Sequence, residues 1–318
     1  MDFFSDLLNA LPGALAQGLI WGIMAIGVYI TFKVLDLPDL TVDGTMCTGG
    51  AVCVMMMLHG YNVWVALLVA FLAGLAAGAL TGLFHTAMGI PAILAGILSQ
   101  LALYSINLRI MDDKANQAIN PSNFDLLVSL RDVRQFALDN PILVALIFTA
   151  VIIALLYWFF GTELGSGIRA TGANPNMSRA QGINVGRNKV LGLMLSNGIV
   201  ALSSALYAQY QGFSDVNAGR GAIVIGLAAV IIGEVGFSKV FHNFGLKLLA
   251  VSIGAILYYI VIQAVLAMGL NANYLKLLSA CVVGLFLAIP YWKGKYSRPR
   301  VKIPAQTADK SKGGNHNA

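Results

Sequence analysis

The chain has 318 residues, 58% of them hydrophobic and only 11% charged, with mean hydropathy +0.77. Soluble domains carry roughly 25% charged residues, so this composition excludes a water-soluble fold and points to an integral membrane protein. The net charge of +6 needs no nucleic acid to explain it, because much of it lies after Trp292, where it suits an anionic membrane surface.

The start, MDFFSDLLNA, is acidic and lacks the basic region of a signal peptide, so Leu11 onward is expected to be a retained first span. Apolar runs about twenty residues long without alternation indicate helices, not barrel strands. In chain order the predicted spans are 11–32, 44–58, 63–88, 91–111, 141–160, 189–211, 220–235, 245–268 and 273–290. The fold class is thus an all-α integral membrane protein with about nine transmembrane helices. The second and seventh spans are too short for a straight crossing of roughly 30 Å, so each is expected to be broken or tilted. Gly18/Gly22 and Gly74/Gly78/Gly82 have small-xxx-small spacing, a weak signal in a chain with 34 glycines.

With the tail after Trp292 placed in the cytoplasm, fourteen Lys and Arg fall inside and six outside; without the distal Lys310 and Lys312 the bias is twelve to six. The N-terminus is then outside, unless 44–58 is re-entrant, which moves it inside. Residues 1–292 form the transmembrane domain, with an inside loop at 161–188 and an outside loop at 112–140. Residues 293–318 read as a basic, disordered tail. RDVRQFALDN in the outer loop suits a short amphipathic helix.

Spans one to four run opposite to spans six to nine, and the second member of each set follows a polar break, DLPDLTVDG or GFSDVNAGRG. This pattern allows two inverted-topology repeats, and such breaks point toward a substrate pathway. In the first break, Asp39, Thr41 and Asp43 are candidates for that pathway, with Asp43 or Thr41 capping the helix that follows. An ordinary turn punctuated by Pro38 and Gly44 is the bland alternative. Span four adds Gln100, Tyr104 and Asn107, the last two sharing a face by spacing; span six adds Asn197 and Ser203. Such polar faces glue helices together more often than they line a path. Glu234 is expected at the interface facing Lys239. Arg109 and Arg220 read as headgroup anchors. Cys47, Cys53 and Cys281 lack metal-ligand spacing and read as small buried hydrophobes.

The inside loop holds GIRATGANPNMSRAQGINVG, residues 167–186. Asn174 suits a helix N-cap, Pro175 the first helical position, and Gly182 a left-handed stop. The helix between them, with Asn176, Met177, Arg179 and Ala180, is too short to stand alone in water. It either docks to a partner or lies flat at the headgroups.

Here the chain resembles the permeases of ABC importers of the branched-chain amino acid, ribose and nucleoside type. Their loop pattern runs roughly G-x-x-[IL]-R-A-x-G-x-N-P-x-x-A-x-x-x-G-I-x-V, matched by Gly167, Arg169, Ala170, Gly172, Asn174, Pro175, Gly182, Ile183 and Val185. Ser178 stands where the family usually has Ala. DLPDLTVDGT is similar to the family's element at its broken second helix. KVLDLPDLTVDGT with GIPAILAGILSQLALYSINLRIM resembles the single-permease subgroup associated with tryptophan and tyrosine.

The resemblance implies a multi-pass protein of the bacterial inner membrane. It implies a coupling helix at Arg169 and Asn174–Gly182 that meets a separate ATP-binding subunit, and an extracytoplasmic binding protein that delivers solute. It also implies a second permease copy, for which a homodimer suits nine spans. No cofactor is expected on this chain: G-x-x-x-x-G-K-[ST] is absent, so ATP and Mg belong to the partner, and there is no metal-ligand cluster or catalytic motif. The expected activity is import of a small amphipathic solute by alternating access, driven by ATP. The rival is a secondary transporter driven by an ion gradient, which requires an essential buried carboxylate.

Overall fold

The computed structural model describes residues 3–121, 124, 126–134, 140–237, 241, 243–268 and 274–296. The basic tail from 297, Lys239 and part of the 131–140 segment lie outside these residues; Leu130–Arg134 forms a 3-10 turn.

The helices are α1 (Phe3–Tyr29, extended by a π turn Ile30–Val34), α2 (Thr41–Leu58), α3 (Val63–Thr86) and α4 (Ala92–Ile110). After the outer loop come α5 (Pro141–Gly161), α6 (Glu163–Ala173), α7 (Pro175–Ala180) and α8 (Val185–Gln211). The chain closes with α9 (Ala222–Phe237), α10 (Phe244–Ala267) and α11 (Leu275–Tyr296). Two short strands, β1 (Asn116–Ala118) and β2 (Phe213–Asp215), pair antiparallel with Gln117 opposite Ser214. They tie the segment after α4 to the end of α8.

Each of the nine predicted spans coincides with a helix among the described residues. Seven helices among the described residues are long and apolar enough to cross a membrane; Ala222–Phe237 and Leu277–Phe286 are shorter apolar helices. The seventh predicted span is therefore short, as expected. The second is not broken internally: α2 runs unbroken from Thr41, and the interruption lies before it, at residues 35–40.

The core is built around α1, α2 and α8. The glycine spacing that carried little weight in the sequence turns out to mark helix crossings. A Cβ on Gly18 would lie 2.8 Å from Ile256 Cα, and one on Gly22 3.2 Å from Ser252 Cα, so α1 meets α10 backbone to backbone. On α3, Gly74 and Gly78 press on the Asn197 and Leu193 carbonyls of α8, and a Cβ on Gly82 would lie 3.0 Å from Val190 Cα. In lipid, where burying apolar area gains little, such close packing holds helices together.

The outer surfaces of α4 and α5 are largely uncovered. Leu94, Leu98, Leu101, Leu146, Val151 and Leu155 are exposed, as lipid-facing side chains would be. Cys47 and Cys53 are buried, whereas Cys281 on α11 is exposed, contrary to expectation.

Candidate functional site

Two features stand apart from ordinary packing. The first is the junction of the two polar breaks. Asn197 lies twelve residues into α8 (197 − 185 = 12), roughly 18 Å along it at 1.5 Å per residue, which puts it near the middle of the bundle. There, Asn197 Nδ2 donates to Asp39 Oδ2 at 2.8 Å, and the Thr41 backbone N–H donates to Asp39 Oδ1 at 2.9 Å. Asp39, one residue before the N-cap position Leu40, is thus the side chain that satisfies the first N–H of α2. The sequence suggested Thr41 or Asp43 for that task.

Asp43 has a different partner. Its carboxylate accepts from the backbone N–H groups of Gly221 at 3.0 Å and Ile223 at 2.9 Å. It caps α9, from 178 positions away in sequence. Cys47, one turn further along α2, donates to Val216 O at 3.0 Å and accepts from Gly219 N at 3.2 Å. The two helix N-termini therefore start deep in the bundle, each facing a carboxylate that offsets its positive dipole end.

A chain of hydroxyls spreads from this junction. Thr45 Oγ1 donates to Asn197 Oδ1 at 2.7 Å, Thr41 and Thr81 share a 2.7 Å hydroxyl contact, and Thr81 Oγ1 donates to Ser99 Oγ at 2.7 Å. Thr45 and Thr81 were missed in the sequence. Threonines in apolar runs are common, and only the three-helix contact reveals them.

Three serines of α8 bond to neighbouring backbones. Ser196 donates to Gly27 O and Ser203 to Ile20 O, each at 2.7 Å, and Ser204 bonds Met46 O. These side chains clamp α8 to α1 and α2. Of the eight pathway candidates, the structure thus brings Asp39, Thr41 and Asn197 into one network, with Asp43 one turn along α2, while Ser203 binds α1. Gln100 and Tyr104 are elsewhere: Gln100 is half-buried and Tyr104 is 40% exposed on the open side of α4. Asn107 is fully buried, donates to Gly44 O at 3.3 Å, and leaves its Oδ1 unpartnered. Three-residue spacing does not give Tyr104 and Asn107 a common environment, because the boundary of the buried face runs between them.

Glu234 pairs with Lys33 at 2.7 Å, joining the end of α9 to the end of α1. Its expected partner, Lys239, is outside the described residues. Arg109 is exposed and pairs with Asp113 at 3.3 Å; Arg220 is exposed too. Among the described residues no three His, Cys, Asp or Glu gather as a metal site.

The second feature is α7. Asn174 Oδ1 accepts from Asn176 N at 3.1 Å and Met177 N at 3.0 Å. At the other end Gly182, with φ of 78°, takes the left-handed conformation. Gly182 N bonds Arg179 O and Ile183 N bonds Ser178 O, each at 3.0 Å, which makes a Schellman stop. Pro175, Asn176, Met177, Arg179, Ala180 and Gly182 are all exposed, Met177 at 52%. Ser178 alone is buried, and its hydroxyl has no partner, which fits a position that tolerates alanine.

What holds this two-turn helix is α6. Gly172 presses on Val34 O at the end of α1. Asn188 Nδ2 on α8 donates to Thr171 Oγ1 at 3.0 Å, which donates to Gly167 O at 2.8 Å. Arg169 lies not on α7 but on α6, with its guanidinium 6.0 Å from the Phe244 ring centre. An exposed, doubly capped helix is therefore joined through α6 to α8, which carries Asn197, and to the end of α1, just before the break that carries Asp39.

A family profile described as "Branched-chain amino acid transport system / permease component" matches residues 11–290. The chain is 40% identical to a tyrosine transport system permease protein of Clostridioides difficile, over 88% of this chain and 91% of that protein. It is 33% identical to an uncharacterized protein of Rickettsia prowazekii, over 88% of this chain and 98% of the relative. A ribose import permease of Escherichia coli is 24% identical over 91% of this chain and 87% of its own length. No solved structure matches. With nearly all its length matched and seven long apolar helices to carry it through a bilayer, the chain belongs to the branched-chain amino acid and ribose type of transport permease.

Proposed function

We propose that this chain is the membrane subunit of an ATP-driven importer for a small amphipathic solute, with an amino acid as the favoured class. The observation that carries the proposal is α7: an exposed helix too short to be stable alone, capped at both ends, and clamped through Thr171–Asn188 and Gly172–Val34 to α8 and α1. Such a lever suits a separate ATP-binding subunit. The amino-acid class rests on the similarity to the tyrosine permease, and the sugar permeases among the relatives keep the substrate assignment separate from the family assignment.

In this reading two permease copies sit with two ATP-binding subunits, and an extracytoplasmic binding protein delivers solute at the β1–β2 end. The α7 end is cytoplasmic, as the Lys and Arg bias requires, in the inner membrane. ATP binding draws the ATP-binding subunits together and carries α7 with them. Through α6, α1 and α8 shift about the Asp39–Asn197 junction, and the permease alternates between outward and inward access. ATP drives this only through its different affinity for the two states.

The test is a pull-down of the tagged full chain from native membranes in mild detergent, with mass spectrometry of co-eluting proteins. A stoichiometric ATP-binding protein is expected, lost in Met177→Arg and in Arg179→Glu while both variants remain folded by size exclusion. Normal assembly by both variants overturns the role of α7. Recovery of the permease alone in every case favours the ion-driven rival.

A further inference from the structure

On the α7 side of the bundle a cavity of about 1000 Å³ opens between the end of α1, α5, α6 and the first turn of α10. Three cations from three separate elements line it: Lys33, Arg169 and Lys247. Lys33 is neutralised by Glu234 at 2.7 Å. Among the described residues, Arg169 and Lys247 make no ion pair, although Asp36 also lines the cavity. Two like charges facing one space repel unless an anion sits between them.

Much of the remaining wall is aromatic. Tyr157, Trp158, Phe160 and Phe244 line it, and Trp158 at 70% and Tyr157 at 53% are exposed at the end of the open helix α5. Amphipathic rings at the end of a lipid-facing helix mark the headgroup level of a bilayer. In addition, Asn243 precedes α10 without a side-chain capping bond, and no acid lies in that helix's first turn to offset its dipole.

We propose that this cavity binds the phosphate-bearing headgroup of an anionic membrane lipid, and that its occupancy holds α6, and with it α7, in position. Arg169 supplies a forked donor set suited to phosphate and Lys247 a point charge. The aromatic rings seat the glycerol and the first chain carbons. The cavity is larger than a bare phosphate needs, and its α5 side opens toward lipid, which favours a headgroup over a free anion. Arg169, Gly172 and Ala173 all belong to the cavity wall, and the next residue, Asn174, caps α7. The site is therefore one peptide bond away from the exposed helix.

The test uses the full chain purified in mild detergent and needs no ATP-binding partner, so its outcome is independent of the transport mechanism. Retained phosphatidylglycerol and phosphatidylcholine are counted by native mass spectrometry. The expected result is preferential retention of phosphatidylglycerol, falling about five-fold for each cation removed in Arg169→Gln and Lys247→Gln, with Lys247→Arg behaving like wild type. Millimolar inorganic phosphate should displace none of it. Hydrogen exchange over 174–182 should be slower in phosphatidylglycerol nanodiscs than in phosphatidylcholine ones, and the double variant should erase the difference. Equal retention by wild type and the folded double variant overturns the site. Full displacement by inorganic phosphate overturns the lipid and leaves a phosphate-ion site. Selective retention with unchanged exchange overturns the link to α7.

Discussion

Asp39→Ala tests whether the buried carboxylate holds the fold or serves transport chemistry. In the wild type its two oxygens accept from Thr41 N and Asn197 Nδ2 at 2.9 and 2.8 Å, and the residue is 3% exposed. Truncation strands both donors in the core. A buried unpaired donor costs about 1–3 kcal/mol. Asn197 keeps a 3.0 Å bond to Leu193 O, so its loss falls at the low end. The sum is about 2–4 kcal/mol, or roughly a 3–6 °C drop in the thermal midpoint of the detergent-solubilised chain. Asp39→Asn should behave differently. Its carbonyl still accepts from Thr41 N. Asn197 can turn over to accept from the new amide and donate to Thr45 Oγ1, whose proton then passes to Thr41 O at 3.1 Å, but the turn gives up its bond to Leu193 O. The expected cost is about 1–2 kcal/mol, below that of Asp39→Ala, with transport retained. An Asp39→Ala midpoint equal to wild type would refute the structural role. Loss of transport in a fully stable Asp39→Asn would show that the charge itself is needed, as the ion-driven rival requires.

Asp43→Ala should unwind the first turn of α9, seen as faster amide exchange at Gly221 and Ile223, at a cost of about 1–2 kcal/mol. Unchanged exchange there would contradict the cross-helix cap. Gly78→Leu should prevent α3 from reaching α8 and abolish recovery of folded chain, whereas Gly161→Ala, where an added Cβ meets nothing within 4 Å, should be recovered normally. Asn174→Ala should cost about 1 kcal/mol and show first as faster exchange at Asn176 and Met177, with the rest of the bundle unaffected.

The helices and α7 were legible because their signals are local. Apolar runs of spanning length, and Asn-Pro before a terminal Gly, need no knowledge of the partner segment. The junction was half legible. Two breaks of similar composition suggested a meeting place, but nothing local says that Asp39 caps α2 while Asp43 caps α9. Both are acids near a helix start, and the choice depends on which one the dipping segment 212–221 approaches. Glu234 shows the same limit. Lys239 is nearer in sequence, yet Lys33 is the residue that stands beside it, because α1 and α9 end at the same level. The polar stripe on α8 was visible as a stripe. Its division between clamping and pathway roles was not, since both need the same residue types. The glycine stripes were legible only as a pattern, because close approach depends on the helix opposite.

The Asp39–Asn197 bond also sets a schedule for biosynthesis. Its partners are 158 positions apart, and the Asp43–Gly221 pair is 178 apart. At about 5–20 residues per second, Asp39 waits roughly 8–30 s for α8 to emerge. For that interval it is an ionisable group whose only partner of the two is the nearby Thr41 N–H, and the hydrocarbon interior is a poor place to wait. Residues 35–40, which belong to no helix, can stay at the water interface and sink only when α8 arrives. The bundle's centre then closes only once α8 has been made, and a ribosome-bound intermediate cut off before Asn197 should keep Asp39 open to solvent.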